Sequence, residues 1–501
     1  MDDLNPLFTM LNETQIEILK NGYEILLSNI TLDYQSDISV DNAILIVGEN
    51  ELARDFINKT KDRFNITQKP YIEQYGGDLG DFISIIGDEE IRSSQIVFFI
   101  KIELDSRIQD KTTQLGIHFV NHYENIDSMI NEIENLIGDF TYENTILFDE
   151  NKCQYHHRDK TTKSYCSECE SVCPTFAITK DDEAKELRFS NIDCIFCGKC
   201  VNICPSGAMQ KANAPFIEIV KAIQIYQNKI PLILSKEDIE KFVDSNINIK
   251  DSPIVPFVLP NIHLLNEVYL ISILQTTSAQ CIIYGNVESN LKDSIDFIND
   301  LYKKIYNKKA IFLHNEIESY ENINIENLPK YQYNAESSEF NRAVFSERVK
   351  FLIKNNNYGN LANKPSIKYT DLNIDSNNCT LCMSCVESCN TKALITSKDH
   401  FELLLNPSLC TACNLCVDIC PENVIEMPLG GMDLNLSFFT YNTKAKDEPF
   451  KCVECGKVFA SAKSIKKVQN MMFPIFGNDE IKKKTILCCG DCKVRVMFKT
   501  S

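Results

Sequence analysis

The spacing of the cysteines constrains this 501-residue chain more than any other feature of its sequence. Of its 22 cysteines, 21 lie between residues 153 and 204 or between residues 379 and 492, and Cys281 stands apart from them. A chain of this length can bury a hydrophobic core and does not need disulfides to stay folded. Thiols grouped this tightly in a large chain are typical of metal ligands. A secreted, disulfide-rich scaffold is therefore excluded as the main interpretation.

The clearest run is Cys410-x2-Cys413-x2-Cys416-x3-Cys420, followed by Pro421. Three cysteines at this spacing can surround one iron–sulfur cluster, whereas the fourth points to a second cluster. Such a run needs a partner, and Cys379-x2-Cys382-x2-Cys385-x3-Cys389 provides one. Exchanging the fourth ligands gives two predicted clusters, one held by Cys379, Cys382, Cys385 and Cys420, the other by Cys410, Cys413, Cys416 and Cys389. Asn390 stands where the usual proline would follow Cys389, a departure expected to loosen the turn without removing a ligand.

The same pattern occurs 216 residues earlier, where only the first cysteine is missing and Lys163 stands in its place. Cys153, ten residues upstream of Lys163, is the natural replacement. The predicted clusters are held by Cys153, Cys166, Cys169 and Cys204, and by Cys194, Cys197, Cys200 and Cys173. His156 or His157 remains an alternative ligand beside Cys153. Zinc is the competing interpretation, but zinc ribbons use two C-x2-C pairs rather than these paired runs.

Both runs resemble the two-cluster bacterial ferredoxins, over residues 150–212 and 370–430. That resemblance implies a pseudo-twofold fold with two closely spaced [4Fe–4S] clusters in each module. The whole arrangement also resembles cytoplasmic multi-cluster ferredoxin-type proteins of proteobacteria, most distinctively from Cys153 to Cys173. Relatives of that type accompany molybdenum- or tungsten-containing formate dehydrogenases, which implies such an enzyme as partner.

The last cysteines have a different spacing. Two C-x2-C pairs, Cys452 with Cys455 and Cys489 with Cys492, predict a tetrahedral zinc site. A fifth iron–sulfur centre or a single iron atom is the alternative there. Cys488 is then spare, or exchanges roles with Cys489. Cys281 lies in an apolar run and is interpreted as a buried thiol.

The remaining sequence predicts a multidomain chain of the α+β and α/β classes, because strand patterns alternate with helical ones. Two small α/β domains are expected, the second with three or four mostly parallel strands. The predicted division is given by the following ranges: an α/β domain at 1–150, a ferredoxin module at 151–212, an α/β domain at 213–315, a connector at 316–365, a second ferredoxin module at 366–430, and a zinc-ribbon-like region at 431–501.

Charge and hydropathy narrow the classes of partner. The formal charge is −19 and the pI is about 5.0, which gives no general attraction to nucleic acid or anionic lipid. No stretch is apolar enough to insert into a membrane, and the N-terminus has no signal-peptide pattern. We expect a cytoplasmic protein whose redox partner presents a basic docking surface.

Electron transfer through four [4Fe–4S] clusters is the function that these features predict. Clusters with all ligand positions filled by thiolates leave no open site for a substrate, so no catalytic residue is predicted. Two alternatives stay open: an assembly or accessory factor for a molybdenum or tungsten oxidoreductase, and an oxidoreductase subunit in which an α/β domain binds flavin or nicotinamide. No G-x-G-x-x-G follows a predicted strand, which weakens the second alternative.

Overall fold

The computed structural model shows a mixed α/β chain of several domains. It describes residues 2–28, 35–99, 114–144, 146–156, 166–245, 247–250, 252–317, 320, 323–333, 339–397 and 400–498. Two α/β units, two modules that repeat the same order of elements and a C-terminal unit make up these residues.

The first α/β unit (residues 35–143) is built on a parallel sheet with strand order β3-β2-β7-β8. Its apolar strands bury both faces, with Ile44 and Ile46 against the helices and Leu45 and Val47 against a small antiparallel sheet, β4-β5-β6. β1 pairs with β9. The bounds are β1 Gln35–Val40, β2 Ala43–Val47, α2 Glu51–Thr60, β3 Asn65–Lys69, β4 Gln74–Gly76, β5 Phe82–Ile86, β6 Glu89–Ser93, β7 Gln95–Phe98, β8 Ile117–Phe119, α3 Ile126–Asn135 and β9 Gly138–Glu143.

The second α/β unit has a four-stranded parallel sheet with the order β15-β14-β16-β17, which confirms the predicted sheet. Every residue of β14 and β15 is buried, as expected for parallel strands covered on both faces. The bounds are α6 Phe216–Ile223, β14 Ile230–Ser235, α7 Ile239–Asp244, β15 Ile254–Leu259, α8 Glu267–Thr277, β16 Cys281–Tyr284, α9 Ser289–Tyr306, β17 Ile311–Leu313 and α10 Asn341–Ile353.

The N-terminal helix packs on this second sheet, not on the first. Helix α1 (Glu13–Leu27) and the preceding 3-10 segment (Asp2–Met10) bury Leu4 and Leu19 in the core that contains β14. The Gln15 amide donates to the carbonyls of Ile249 and Ile254 at 2.9 and 2.7 Å. The predicted 1–150 domain therefore differs from the observed packing, because an amphipathic pattern does not specify which sheet it covers.

The predicted connector and C-terminal boundaries also differ from the packing. Helix α10 lies within the predicted connector, yet most of it is buried and Arg348 is fully buried. Strand β24 (Asn442–Lys446) pairs with the second module, and β23 (Met432–Asp433) pairs with β18 (Asn360–Leu361). The C-terminal unit accordingly begins near residue 449, with β25 Pro449–Lys451, β26 Val458–Ser461, α13 Ala462–Phe476, α14 Glu480–Ile486 and α15 Gly490–Phe498.

Each module repeats the order strand, helix, hairpin, helix, strand. Module 1 (residues 146–211) and module 2 (residues 373–426) have hairpins that begin and end 216 residues apart. The bounds in module 1 are β10 Ile146–Phe148, α4 Glu168–Ser171, β11 Ile178–Asp181, β12 Glu186–Phe189, α5 Lys199–Ile203 and β13 Met209–Lys211. Those in module 2 are β19 Asn373–Ile374, α11 Ser384–Glu387, β20 Leu394–Ser397, β21 Glu402–Leu405, α12 Leu415–Asp418 and β22 Ile425–Glu426.

Among the described residues, none of the helices has the length and apolar character required to cross a membrane.

Candidate cluster and metal centres

Sixteen cysteines of the two modules come together in four groups of four. The thiols of each group interact electrostatically with one another, and these interactions define the groups. Cluster binding by each group stays a prediction. Group A is Cys153, Cys166, Cys169 and Cys204; group B is Cys173, Cys194, Cys197 and Cys200; group C is Cys379, Cys382, Cys385 and Cys420; group D is Cys389, Cys410, Cys413 and Cys416.

Backbone turns bring these sulfurs together. The residue after the second cysteine of a run adopts a left-handed conformation, at Gly198 (φ 78°), Met383 (φ 69°) and Asn414 (φ 69°). Each of them begins a short helix that carries the third cysteine. Gly198 is required for a second reason, because a Cβ atom there would lie 2.9 Å from the Cβ atom of Leu264.

The chemistry of the groups fits iron–sulfur clusters. Burial, with repulsion from the neighbouring thiols, raises the pKa of Cys385 to about 12. Burial raises the pKa of Cys410 to about 12 as well, although the Ala412 amide opposes the shift. Four thiolates in such surroundings need a metal centre to balance their charge. The Cys153 sulfur already accepts N–H groups from Tyr155 and His156, at 3.4 and 3.3 Å.

Cys153 occupies the place in module 1 that Cys379 has in module 2. Phe148 pairs with Met209 as Ile374 pairs with Ile425, and in each module the first cysteine follows five residues later. Both the strand and the cysteine are therefore displaced by the same ten residues relative to the 216-residue repeat. The insertion lies between Cys153 and Cys166, where residues 157–165 fall outside the described part of the chain.

His156 does not have the geometry of a ligand. Its Nδ1 accepts the Leu187 N–H at 3.1 Å, and its Nε2 lies 3.6 Å from the Glu150 carboxylate. Both ring nitrogens thus have partners outside group A. His157, the other alternative, lies outside the described residues.

The four groups lie in the order B–A–D–C. The Cys169 thiol of group A interacts with Cys200 of group B. The Cys166 thiol of group A interacts with the Cys413 thiol of group D in the other module, so groups A and D are neighbours. Within module 2, Cys416 of group D interacts with Cys385 of group C. Groups B and C are therefore the two ends of the series.

The contact between groups A and D is held by side chains next to their cysteines. Asn390, which follows Cys389, donates its amide to the carbonyls of residues 151, 152 and 153 at 3.2, 3.3 and 3.1 Å. Its oxygen accepts the Gln154 amide at 2.6 Å, and Thr411 donates to the Gln154 oxygen at 3.3 Å. We call Gln154, Asn390 and Thr411 the junction. Sequence reasoning missed this role, although the absent proline at position 390 was a visible signal.

A buried lysine distinguishes group B. Lys211 is 1% exposed, and its ammonium interacts with three thiols of the group and donates to the Phe196 carbonyl at 3.1 Å. Burial lowers the pKa of Lys211, while the Cys194 and Cys200 thiols oppose this shift. The residue 216 positions later is Met427, so module 2 has no charge at this place.

The C-terminal cysteines form a fifth group with a different geometry. The sulfurs of Cys452, Cys455, Cys489 and Cys492 all lie within 4.8 Å of one another, and those of Cys455 and Cys489 are 3.7 Å apart. A tetrahedral metal with bonds of about 2.3 Å to sulfur separates its ligands by about 3.8 Å, so the group fits one zinc-sized ion. Burial raises the pKa of Cys452, but hydrogen bonds from the amides of Cys489, Cys455 and Glu454 outweigh this effect and lower the pKa to about 6.

The two remaining cysteines have no place in these groups. Cys281 is fully buried in β16, and burial raises its pKa, as expected for a packed thiol. Cys488 is buried beside Cys452 but is not one of the four converging sulfurs.

Comparison with protein families identifies three segments. The model of the 4Fe–4S dicluster domain matches residues 164–208, and models of 4Fe–4S binding domains match residues 376–392 and 403–426. These segments include every cysteine of groups A to D except Cys153. No curated protein matches the chain.

Proposed function

We propose that this chain, which carries ferredoxin-type 4Fe–4S domains, is an electron-transfer protein with one [4Fe–4S] cluster in each of groups A to D. The observation that carries the proposal is the continuous series B–A–D–C, in which neighbouring groups are close enough for their thiols to interact. A [4Fe–4S] cluster takes up and releases one electron at a time. Electrons therefore pass through the protein from one end of the series to the other.

The residues of the chain hold the clusters and set their surroundings. Four thiolates fill the ligand positions of each cluster, so the clusters transfer electrons without binding a substrate. Burial of Cys153, Cys385 and Cys410 limits the access of water, and the N–H donors at Cys153 and Cys410 stabilise negative charge on sulfur. The junction fixes the spacing of the two modules.

The fifth group binds zinc in this proposal and has a structural role. Its four ligands join the hairpin β25–β26 to the last two helices, and the Ser461 hydroxyl of the hairpin donates to the Thr380 carbonyl at 2.8 Å. Zinc thereby stabilises a unit that contacts module 2 at Thr380, next to Cys379 of group C. The sulfur spacing favours a single ion over a fifth iron–sulfur cluster.

The electron partner is a protein that docks by charge. Residues 449–501 contain 11 basic and four acidic side chains, so the rest of the chain carries a formal charge of −26. A partner with a basic surface complements this acidic body, and salt weakens its association. The formate dehydrogenase that the resemblance implies is one such candidate.

Reductive titration tests the proposal. Anaerobically prepared protein titrated with dithionite and followed by EPR is expected to accept about four electrons per chain, one for each cluster. Uptake of about two electrons would contradict the four-cluster proposal.

A further inference from the structure

A cleft of about 860 Å³ lies at the carboxyl edge of the second parallel sheet. Loops that follow all four strands line it, and a cleft of this volume suits a small organic ligand. In open α/β sheets, ligands bind outside the carboxyl ends of the strands, where neighbouring connections run in opposite directions.

The strand order places that switch point inside the cleft. Strand β14 lies between β15, which follows it in the chain, and β16, so the loops after β14 and β16 diverge. Gly285, directly after β16, has φ 125°, and a Cβ atom there would lie 2.8 Å from the Asp238 carboxylate. A glycine is needed for this close approach, which shapes the floor of the cleft.

Module 1 supplies the remaining wall. Ile195, Cys197 and Lys199 of the group B loop line the cleft together with the sheet loops. Group B is one end of the series of cysteine groups, so a ligand in the cleft lies beside the terminal cluster of the proposed function.

The polar groups of the cleft suit a heteroaromatic ring. Asn261, Asn286 and Asn315 follow three different strands, and a carboxamide both donates and accepts hydrogen bonds. The rings of Tyr284 and His314, with centroids 4.6 Å apart, provide an aromatic surface.

The charges of the cleft are balanced. Asp238 pairs with Lys241 at 3.0 Å, and Glu288 pairs with Lys199 at 2.7 Å. Lys292 and Glu237 complete the charged lining, and Lys292 is already paired with Asp296. Because both side chains of that pair are about half exposed, the pair is weak and a phosphate group can compete for the Lys292 ammonium.

We infer that this cleft binds a flavin mononucleotide, which exchanges electrons with the cluster of group B; the choice of a flavin and the exchange rest on the proposed function, whereas the presence of a ligand site does not. A nicotinamide transfers hydride, and a cluster accepts only single electrons, so a flavin suits this position. A dihydroflavin here gives one electron each to the clusters of groups B and A, and its two protons pass to water.

Binding of flavin mononucleotide to the anaerobically reconstituted full chain tests the inference. Quenching of flavin fluorescence is expected to show one site per chain with a Kd on the order of micromolar. Asn315→Trp and Asn286→Trp place a bulky ring at exposed positions in the cleft, and each should weaken binding at least about tenfold. Asn355→Trp, at an exposed position outside the cleft, is the matched control and should bind as the parent does.

Absence of saturable binding, or unchanged binding in both cleft variants, would overturn the inference. Saturable binding of NAD⁺ that excludes the flavin would overturn the flavin assignment. Iron is measured in the same samples: full iron content without flavin binding rejects the cleft site alone, whereas flavin binding with half the iron rejects the four-cluster proposal alone.

Discussion

The two repeated modules, which contain the three segments that match 4Fe–4S domains, differ from each other at the positions where each departs from the regular cysteine pattern. Module 1 lacks a cysteine at Lys163 and presents Cys153 instead, whereas module 2 has Asn390 in the place of a proline. The Asn390 amide bonds to the carbonyl of Cys153 at 3.1 Å. The two departures therefore meet at one contact, which shows that they join the modules rather than weaken them.

The modules differ again in the charge beside their clusters. Lys211 of module 1 is buried against the group B thiols, and its counterpart in module 2 is Met427. A cation beside a cluster favours the more negative, reduced state. Group B and its counterpart in the repeat, group D, thus have different electrostatic surroundings within one repeated fold.

Cys153→Ser tests the displaced ligand and should have the largest effect. We expect the variant to lose about four irons, the content of one cluster, as Cys379→Ser should in module 2. Iron analysis and EPR measure the loss. Cys281→Ser, which removes a cysteine outside all groups, is the control and should retain its iron. Full iron content in Cys153→Ser would show that group A has another first ligand.

Cys452→Ser tests whether the C-terminal unit supports module 2 alone. Loss of one of four zinc ligands should release the metal and destabilise the unit, whose Ser461 and Lys467 contact Thr380 and Glu422 of module 2. Metal analysis should show about one zinc lost, and EPR should show a changed signal from module 2 but not from module 1. Cys488→Ser should keep its zinc. Equal changes in both modules would contradict this interpretation.

Asn390→Ala removes the side chain that joins groups A and D. Loss of its hydrogen bonds should lower the free energy of unfolding by about 1–3 kcal/mol and slow electron transfer between the modules, while the iron content stays unchanged. Chemical denaturation and rapid-freeze EPR after partial reduction measure the two effects. Asn378→Ala, which removes an exposed hydrogen bond to Asp375 within module 2, is the control. An unchanged transfer rate would rule out the junction as a positioning element.

Lys211→Met gives module 1 the residue of module 2. Removing the buried cation should lower the reduction potential of the group B cluster by an amount on the order of 100 mV. Met427→Lys, the reverse exchange, should raise the potential of its neighbouring cluster. Redox titration with EPR detection separates the two shifts. A potential that does not change in Lys211→Met would exclude the charge as the source of the difference.

Much of this arrangement could be predicted from the sequence because the C-x2-C-x2-C-x3-C spacing restricts which sulfurs can meet. The repeat also showed that a first cysteine is missing at Lys163, which led to Cys153 as the predicted replacement, and β10 lies five residues before it at the start of module 1. The role of Asn390 could not be predicted, since a missing proline shows a departure but not its hydrogen-bond partner. The sequence pattern predicted helix α1, but the sheet on which the helix packs is determined by long-range contacts such as those of Gln15. The cleft could not be predicted from the sequence either, because the order of the strands in the sheet decides which loops converge.

The metal content of the intact chain tests the central claim most directly. Anaerobically purified protein, analysed for iron, acid-labile sulfide and zinc, should contain about sixteen irons, about sixteen sulfides and about one zinc per chain. About eight irons would contradict the four-cluster proposal. Iron in place of zinc, retained when Cys153→Ser and Cys379→Ser each lose a cluster, would place a further iron centre at Cys452.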